Sequence, residues 1–286
     1  MQEKLIFDLG MHLAQDTAYY LSLGYRVVAV DASPQMINSA SEKFRSAYDS
    51  GQLLLLNYAI SDNSGEVVDF HLSEKSEWNS LYKNISIRQG HEASIIKVET
   101  IALSDLIKKY GVPYYCKIDI EGFDHLCIKS LKKVSAIPKY ISCETECLSE
   151  NEQASEEKIL ETLHRLKEVG YKKFKLIDQQ TLCPLRPYKP FYLNQKKSSV
   201  PIRTINKFLR QIHIRMIQIP WRERLSVANG FDFTFGSTGP FGEQAPGVWM
   251  DFESSKNCLL YHREAFFKLK TDYPLYTIWC DWHATY

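Results

Sequence analysis

The sequence predicts an α/β domain built on a mostly parallel sheet. Three observations predict it. Short apolar runs alternate with helical patterns from Leu5 to Ile177, the signature of strand-helix-strand units. The residues able to do chemistry stand where those runs end, which is where such sheets bind ligands. The alternation stops after Asp178, so the following stretch reads as a different unit. The chain has 286 residues, 44% hydrophobic and 24% charged, with a net charge of +1. These are ordinary globular values, and no overall field directs the protein to nucleic acid or a membrane. No apolar run nears the roughly 18 residues of a membrane span, and no secretory signal opens the chain. The seven cysteines are scattered with no Cys-x-x-Cys pair. Free thiols in a reducing cytoplasm are expected, and a metal site is not.

Leu5 to Leu9 is a short apolar run that meets Gly10, a strand ending in a loop. A helix over Asp16–Leu23 follows, capped by Asp16 or Thr17 and stopped by Gly24. Tyr25 to Val30 is a buried strand ending at Asp31. Pro34 opens a helix from Gln35 to about Tyr48. Leu53 to Ile60 is a third strand, Asp62–Gly65 a turn, and Glu66 to Leu72 a fourth strand. Ser73 to Gly90 reads as loop, and Val98 to Ile101 as a short strand. Ser104 caps a helix that runs to Tyr110. Tyr114–Ile120 is a strand, Phe123–Leu131 a helix, and Tyr140–Glu144 a strand. Ala154 to Val169 carries Ile159, Leu160, Leu163 and Leu166 on one helical face. Phe174 to Ile177 is a strand.

From Gln179 to Arg222 there is no acidic residue, but nine Lys or Arg. Thr204–Ile217 reads as a basic amphipathic helix, and Gly230–Gly247 is dense in Gly, Pro and Phe. Tyr276 to Ala284 reads as an aromatic-rich strand. Three units follow: a core over 1–178, an insertion or substrate cap over 179–275, and a terminal strand over 276–286 that completes the core. The basic stretch is either a solvated face or a surface for an anionic acceptor or an acidic membrane.

Two constellations carry chemistry. The first is Asp8-Leu9-Gly10 with Asp31 about twenty residues on. A glycine turn lets backbone amides approach a ligand, and a carboxylate ending the second strand accepts ribose hydroxyls. Residues Met11 to Gln15 lack the further glycines of a dinucleotide loop, which favours a cofactor without phosphates. The second runs Lys117-Ile118-Asp119-Ile120-Glu121-Gly122. Period two puts Lys117, Asp119 and Glu121 on one face. Such a cluster is a ligand site or a salt bridge at a strand end.

Phe7-Asp8-Leu9-Gly10-Met11-His12, then Asp16-Thr17, Val28 to Pro34, Ala59 to Asp62 with Gly65, Thr100 to Leu106 and Lys117 to Gly122 together resemble FkbM-type methyltransferases over about residues 5–178. The resemblance implies a class I, Rossmann-like fold with helices on both faces of the sheet, and S-adenosylmethionine (SAM) as cofactor. It implies methylation of a hydroxyl on a sugar, glycoconjugate or natural product. By matching position, Asp8, Gly10, His12 and Thr17 would surround the methionine part. Asp31 and Ala32 would hold the ribose, and Ala59, Ile60 and Asp62 would lie near the adenine. Asp119 would face the methionine amino group or the reacting centre, with Glu121 beside it. Ala14 departs from the glycine common in the family, so the loop would close less tightly.

Methyl transfer to a hydroxyl gains from a general base. The candidates are Asp119, Glu121, Glu144 and His283; a metal is not expected, although the three carboxylates are of a kind that could hold Mg²⁺. Trp78, Asn79 and Ser80 lie in a loop between strands, where acceptors are often held. The expected partner is a small-molecule or glycan acceptor, with nucleic acid unexpected and a homo-oligomer compatible with the composition. A nonenzymatic SAM-fold binding or scaffold protein and a nicotinamide-dependent oxidoreductase are the competing readings.

Overall fold

The protein was analysed as a computed structural model, which describes residues 5–87, 90–145, 152–186, 208, 221–269 and 279–286. The described strands are β1 (Leu5–Leu9), β2 (Arg26–Asp31), β3 (Leu53–Asn57), β4 (Ala59–Ser61), β5 (Val67–Ser73), β6 (Ala93–Ala102), β7 (Tyr115–Ile118), β8 (Tyr140–Glu144), β9 (Lys173–Asp178), β10 (Pro184–Leu185) and β11 (Cys280–Thr285). Eight make one sheet in the order β10-β9-β11-β8-β7-β1-β2-β3, and β4-β6-β5 make a smaller one. β1 runs parallel to both β2 and β7, and β7 parallel to β8. β11 is antiparallel to β8 and β9 and lies between them.

The pleat sorts side chains onto two faces. Phe7, Leu9, Val28, Val30, Cys116 and Ile118 join one cluster with Leu103 and Leu106 of helix Leu103–Tyr110 and Leu163 and Leu166 of helix Glu161–Glu168. Ile6, Val27, Ala29 and Tyr115 join the other with Tyr19 and Tyr20 of helix Gln15–Ser22. Helices therefore cover both faces. Parts of the segment 179–275 pack into this core: Phe241 stacks on Tyr115 with centroids 4.3 Å apart, and helix Phe252–Leu269 supplies Cys258 and Leu259 to the first cluster. The predicted helix Thr204–Ile217 falls outside the described residues, apart from position 208. None of the described helices is long and apolar enough to cross a membrane. Cys116, Cys127, Cys143, Cys183, Cys258 and Cys280 are free and buried.

Several elements differ from the sequence expectation. The third strand ends at Asn57, whose side-chain amide donates to the carbonyls of Asp31 and Ala32 at 2.9 and 3.0 Å. The chain leaves the main sheet there, and Ala59–Ser61 pairs with β6 instead. The helix from Pro34 breaks at Phe44 and resumes over Arg45–Asp49. Ser73–Gly90 is not plain loop: it holds a 3₁₀ turn at Ser76–Trp78 and a helical turn at Lys83–Ser86. β6 is ten residues long because β5 pairs antiparallel with it from Ala93 to Glu99 and β4 pairs with it from Thr100 to Ala102. Neither Asp16, Thr17 nor Ser104 is a cap; the N-caps are Ala14 and Ala102. Asp16 and Thr17 instead turn their side chains inward, Thr17 donating to Asp8 at 2.5 Å.

Candidate active site

β1 delivers the chain into a tight loop over Gly10–Ala14. The amides of Gly10 and Met11 both donate to Val30 O, at 2.9 and 3.2 Å, pulling the loop over the end of β2. Gly10 has φ +77, and a Cβ there would stand 1.8 Å from Asp119 O. Only glycine lets these two strand ends come so close. His12 and Ala14 also have positive φ, 47 and 57. Ala14 thus keeps the backbone conformation that glycine favours. The strain of such a residue is roughly 1–2 kcal/mol. His12 N donates to Asp31 Oδ2 at 2.9 Å and Ser33 N to Asp31 Oδ1 at 2.8 Å. Asp31 is pushed up to about 6, chiefly by burial, against these two amides, which lower it.

Beneath the loop lies a buried charge network. Lys117 Nζ stands 3.4 Å from Asp8, 3.4 Å from Asp119 and 3.8 Å from Asp16, and donates to Gly10 O at 3.1 Å. Burial pulls the lysine down, but Asp8, Asp119 and Asp16 outweigh it, so its net shift is well upward. Asp16 is raised, first by burial and then by Asp8, with Lys117 opposing, and it accepts from Thr238 N. The salt-bridge alternative for this motif therefore describes Lys117. The strand ends at Ile118, and the expected period-two face does not reach Glu121, whose φ is +49.

Above the loop is a cavity of about 260 Å³. Of the sequence-predicted residues, Gly10, His12, Asp31, Ala32, Ala59, Ile60, Asn79, Asp119 and Glu121 line it. Asp8 and Thr17 lie below the loop, hydrogen-bonded to each other. Asp62 stays off the wall, its carbonyl accepting from Lys133. Ser80 is buried and donates to Glu121 O at 2.9 Å, so it props a cavity residue from behind. Trp78 sits against Lys75 and His91, away from the lining. Asp119, Glu121 and Glu144 come together, with one carboxylate oxygen from each within 4.8 Å of the others. Their spacing would suit a cation as well as a proton.

His283 does not join them. Asp281 pairs with Glu144, whereas His283 pairs with Ser142, two residues or roughly 7 Å deeper in the sheet. It is buried, and neither ring nitrogen has a hydrogen-bond partner among the described residues. Burial pulls it down to about 3, and nearby Lys175 adds to that. Because β11 is antiparallel, its beginning rather than its end meets the site. That is why Trp279 lines the cavity. Sequence reasoning missed Trp279, along with Gln15, Ser76 and Phe235. The direction of β11 was the missing fact for Trp279, and the Gly- and Phe-dense stretch was a signal for Phe235.

The sequence matches a family model described as the methyltransferase FkbM domain over residues 8–173. The chain belongs to the FkbM methyltransferase family. The cofactor of this FkbM chain is SAM, and its sheet order and double helix layer are those of the class I fold. No curated protein matches the sequence. Among solved structures, it is similar to phosphoethanolamine N-methyltransferase 2 of Haemonchus contortus in complex with S-adenosyl-L-methionine, with 10% identity, a TM-score of 0.36, and coverage of 99% of this chain and 48% of that one. PKMT2 from Rickettsia typhi in complex with AdoHcy gives 10% identity and a TM-score of 0.35, with 99% and 49% coverage. The FkbM chain spans about half the length of these proteins.

Proposed function

We propose that this protein is a SAM-dependent O-methyltransferase acting on a hydroxyl of a sugar, glycoconjugate or natural product. The observation that carries the reading is the carboxylate group Asp119, Glu121 and Glu144, of which Asp119 and Glu121 line the cavity. A hydroxyl is a weak nucleophile, and a carboxylate at hydrogen-bond range takes its proton as it attacks.

The donor set fits the cofactor. Asp31, fixed by two amides, offers its remaining lone pairs to the ribose hydroxyls. Ala32, Ala59, Ile60 and Phe70 form an apolar wall for the purine. Gly10 and His12 bring the β1 loop to the amino-acid end. When bound, SAM supplies a methyl group on a sulfonium, whose thioether is a good leaving group. The protein therefore has chiefly to align the partners and exclude water. Asp119 takes the proton or holds the amino group, with Glu121 and Glu144 beside it. Asn79, whose Oδ1 is held by Ser73 N at 2.8 Å, turns its amide toward the acceptor. Asp8, Thr17 and Lys117 hold the loop from below. Six buried thiols suit a reducing, cytoplasmic setting.

Isothermal titration with SAM, S-adenosylhomocysteine and NADH tests the cofactor. Micromolar binding of the adenosyl ligands is expected, weakened at least tenfold by Asp31→Ala. Failure to bind either one overturns the proposal. Transfer of labelled methyl to hydroxyl acceptors, set against amine acceptors, then tests the oxygen specificity.

A further inference from the structure

Part of the cavity wall comes from outside residues 8–173, the part matched by the family model. It consists of Phe235, Gly236 and Trp279. The Phe235 and Trp279 rings are 5.9 Å apart at 58°. Phe235 is 65% exposed. Its backbone is fixed on several sides. Gln15 Nε2 donates to Phe235 O at 3.0 Å and to Thr234 Oγ1 at 3.1 Å. Arg222 donates to the carbonyls of Phe233 and Thr234 from one nitrogen and to those of Gln179 and Gln180 from the other. Thr238 N closes on Asp16, on the cofactor-side helix. Gln179 N in turn donates to Trp279 O at 2.9 Å. One guanidinium thus ties the Phe235 segment to the turn that holds Trp279.

Folding gains nothing from leaving Phe235 in water, since burial is where an aromatic ring contributes. A rigid segment that presents an exposed ring to a cavity has the form of a ligand platform. The carboxylates Asp119 and Glu121 line the same cavity. An acceptor between them meets an aromatic surface and hydrogen-bond acceptors at once. Both demands are met by a ring with one flat apolar face and hydroxyls at its edge.

We propose that Phe235 and Trp279 form an acceptor-recognition platform selecting ring-bearing hydroxyl acceptors over open-chain ones, with Arg222 as the positioning residue that aligns it. The proposal rests on the methyltransferase reading above and adds which residues choose the acceptor. Arg222, one of the nine cations of the acid-free stretch, is spent on carbonyls rather than on an anionic ligand.

The test uses the full chain saturated with S-adenosylhomocysteine. Saturation-transfer NMR is run with pyranosides, cyclitols and phenols, and with open-chain polyols of matched hydroxyl number. Ring compounds are expected to bind, and Phe235→Ala and Trp279→Ala each to weaken them at least tenfold. Trp279→Phe restores most of the affinity, and the dissociation constant of S-adenosylhomocysteine stays within twofold throughout. Arg222→Lys, which loses the forked contacts, weakens ring binding without touching the cofactor. Equal binding of open-chain polyols, no binding of any ring compound, or variants that bind as tightly as the parent overturn the platform while leaving the methyltransferase reading intact. A parallel loss of S-adenosylhomocysteine affinity overturns it too, by assigning the rings to the cofactor. Wild-type protein that binds no S-adenosylhomocysteine overturns both.

Discussion

Two groups of carboxylates meet at the end of β7, one below the Gly10 loop and one above it. The lower group, Asp8 and Asp16, is buried around Lys117, whose side chain is 4% exposed. The upper group, Asp119, Glu121 and Glu144, is half-buried, and Asp119 and Glu121 line the cavity. Asp119 alone belongs to both, since Lys117 reaches it at 3.4 Å. The residue types are the same, yet the work differs. Below, water is absent and each charge must be balanced within the fold, so the carboxylates become scaffold. Above, the three carboxylates keep partial contact with solvent. On the proposed function, position relative to one loop divides structure from chemistry.

The largest way to break that comparison is Lys117→Met. It leaves Asp8 and Asp16 buried without a counter-ion and should cost roughly 3–5 kcal/mol of stability, read as a shifted midpoint in denaturant unfolding. Asp119→Asn strikes the upper group. It should keep the fold within about 1 kcal/mol and lower methyl transfer by roughly 10²–10⁴-fold if Asp119 is the base; a loss below tenfold moves that role to Glu121 or Glu144.

Asp31 sharpens the distinction through pH. Its folded pKa is pushed up to about 6 from an ordinary 3.8, so between those values the folded state holds the extra proton. Stability contributed by this residue is therefore full at low pH and falls as pH rises through that window. Thermal melts should show Asp31→Asn gaining stability relative to the parent from pH 4 to pH 7. S-adenosylhomocysteine affinity runs the other way. The ionised carboxylate accepts the ribose hydroxyls, so binding should weaken below about pH 6 in the parent and stay flat in the variant. The smallest effect concerns the loop between the two groups. Ala14→Gly should relieve the φ of 57 and stabilise by about 1 kcal/mol, with cofactor affinity unchanged or slightly improved.

Much of this was legible in the sequence where the signal is local. The run from Leu5 to Gly10, the strand ending at Asp31 and the helix of Leu163 and Leu166 each announce themselves within a dozen residues. Of the nine predicted site residues that line the cavity, all but Asn79 stand in or beside the ends of strands, and strand ends meet. What failed was set at long range. Asn57 ends β3 by bonding Asp31 O and Ala32 O, 26 and 25 residues away. Ser80 and Glu121 are 41 residues apart, and nothing near Ser80 tells that its hydroxyl is committed to a carbonyl. His283 looked like a base because an aromatic strand was foreseen but not its direction. A strand read in the wrong sense exchanges the residue at the mouth for the one in the floor.

That reversed strand also governs when the site comes into being. Thr285 Oγ1 donates to Lys139 O across 146 residues of chain, and β11 must slide between β8 and β9 rather than join an outer edge. Loop closure over such a distance is slow compared with the local pairing of β1 and β2. Until β11 arrives, β8 shows an unpaired edge, the kind of surface that invites association with other chains. Trp279 comes with the same strand. A half-folded chain can thus assemble the cofactor loop early, yet it lacks a wall against which an acceptor could rest. On the acceptor platform proposed above, completion of the sheet and competence to recognise substrate would arrive in a single step.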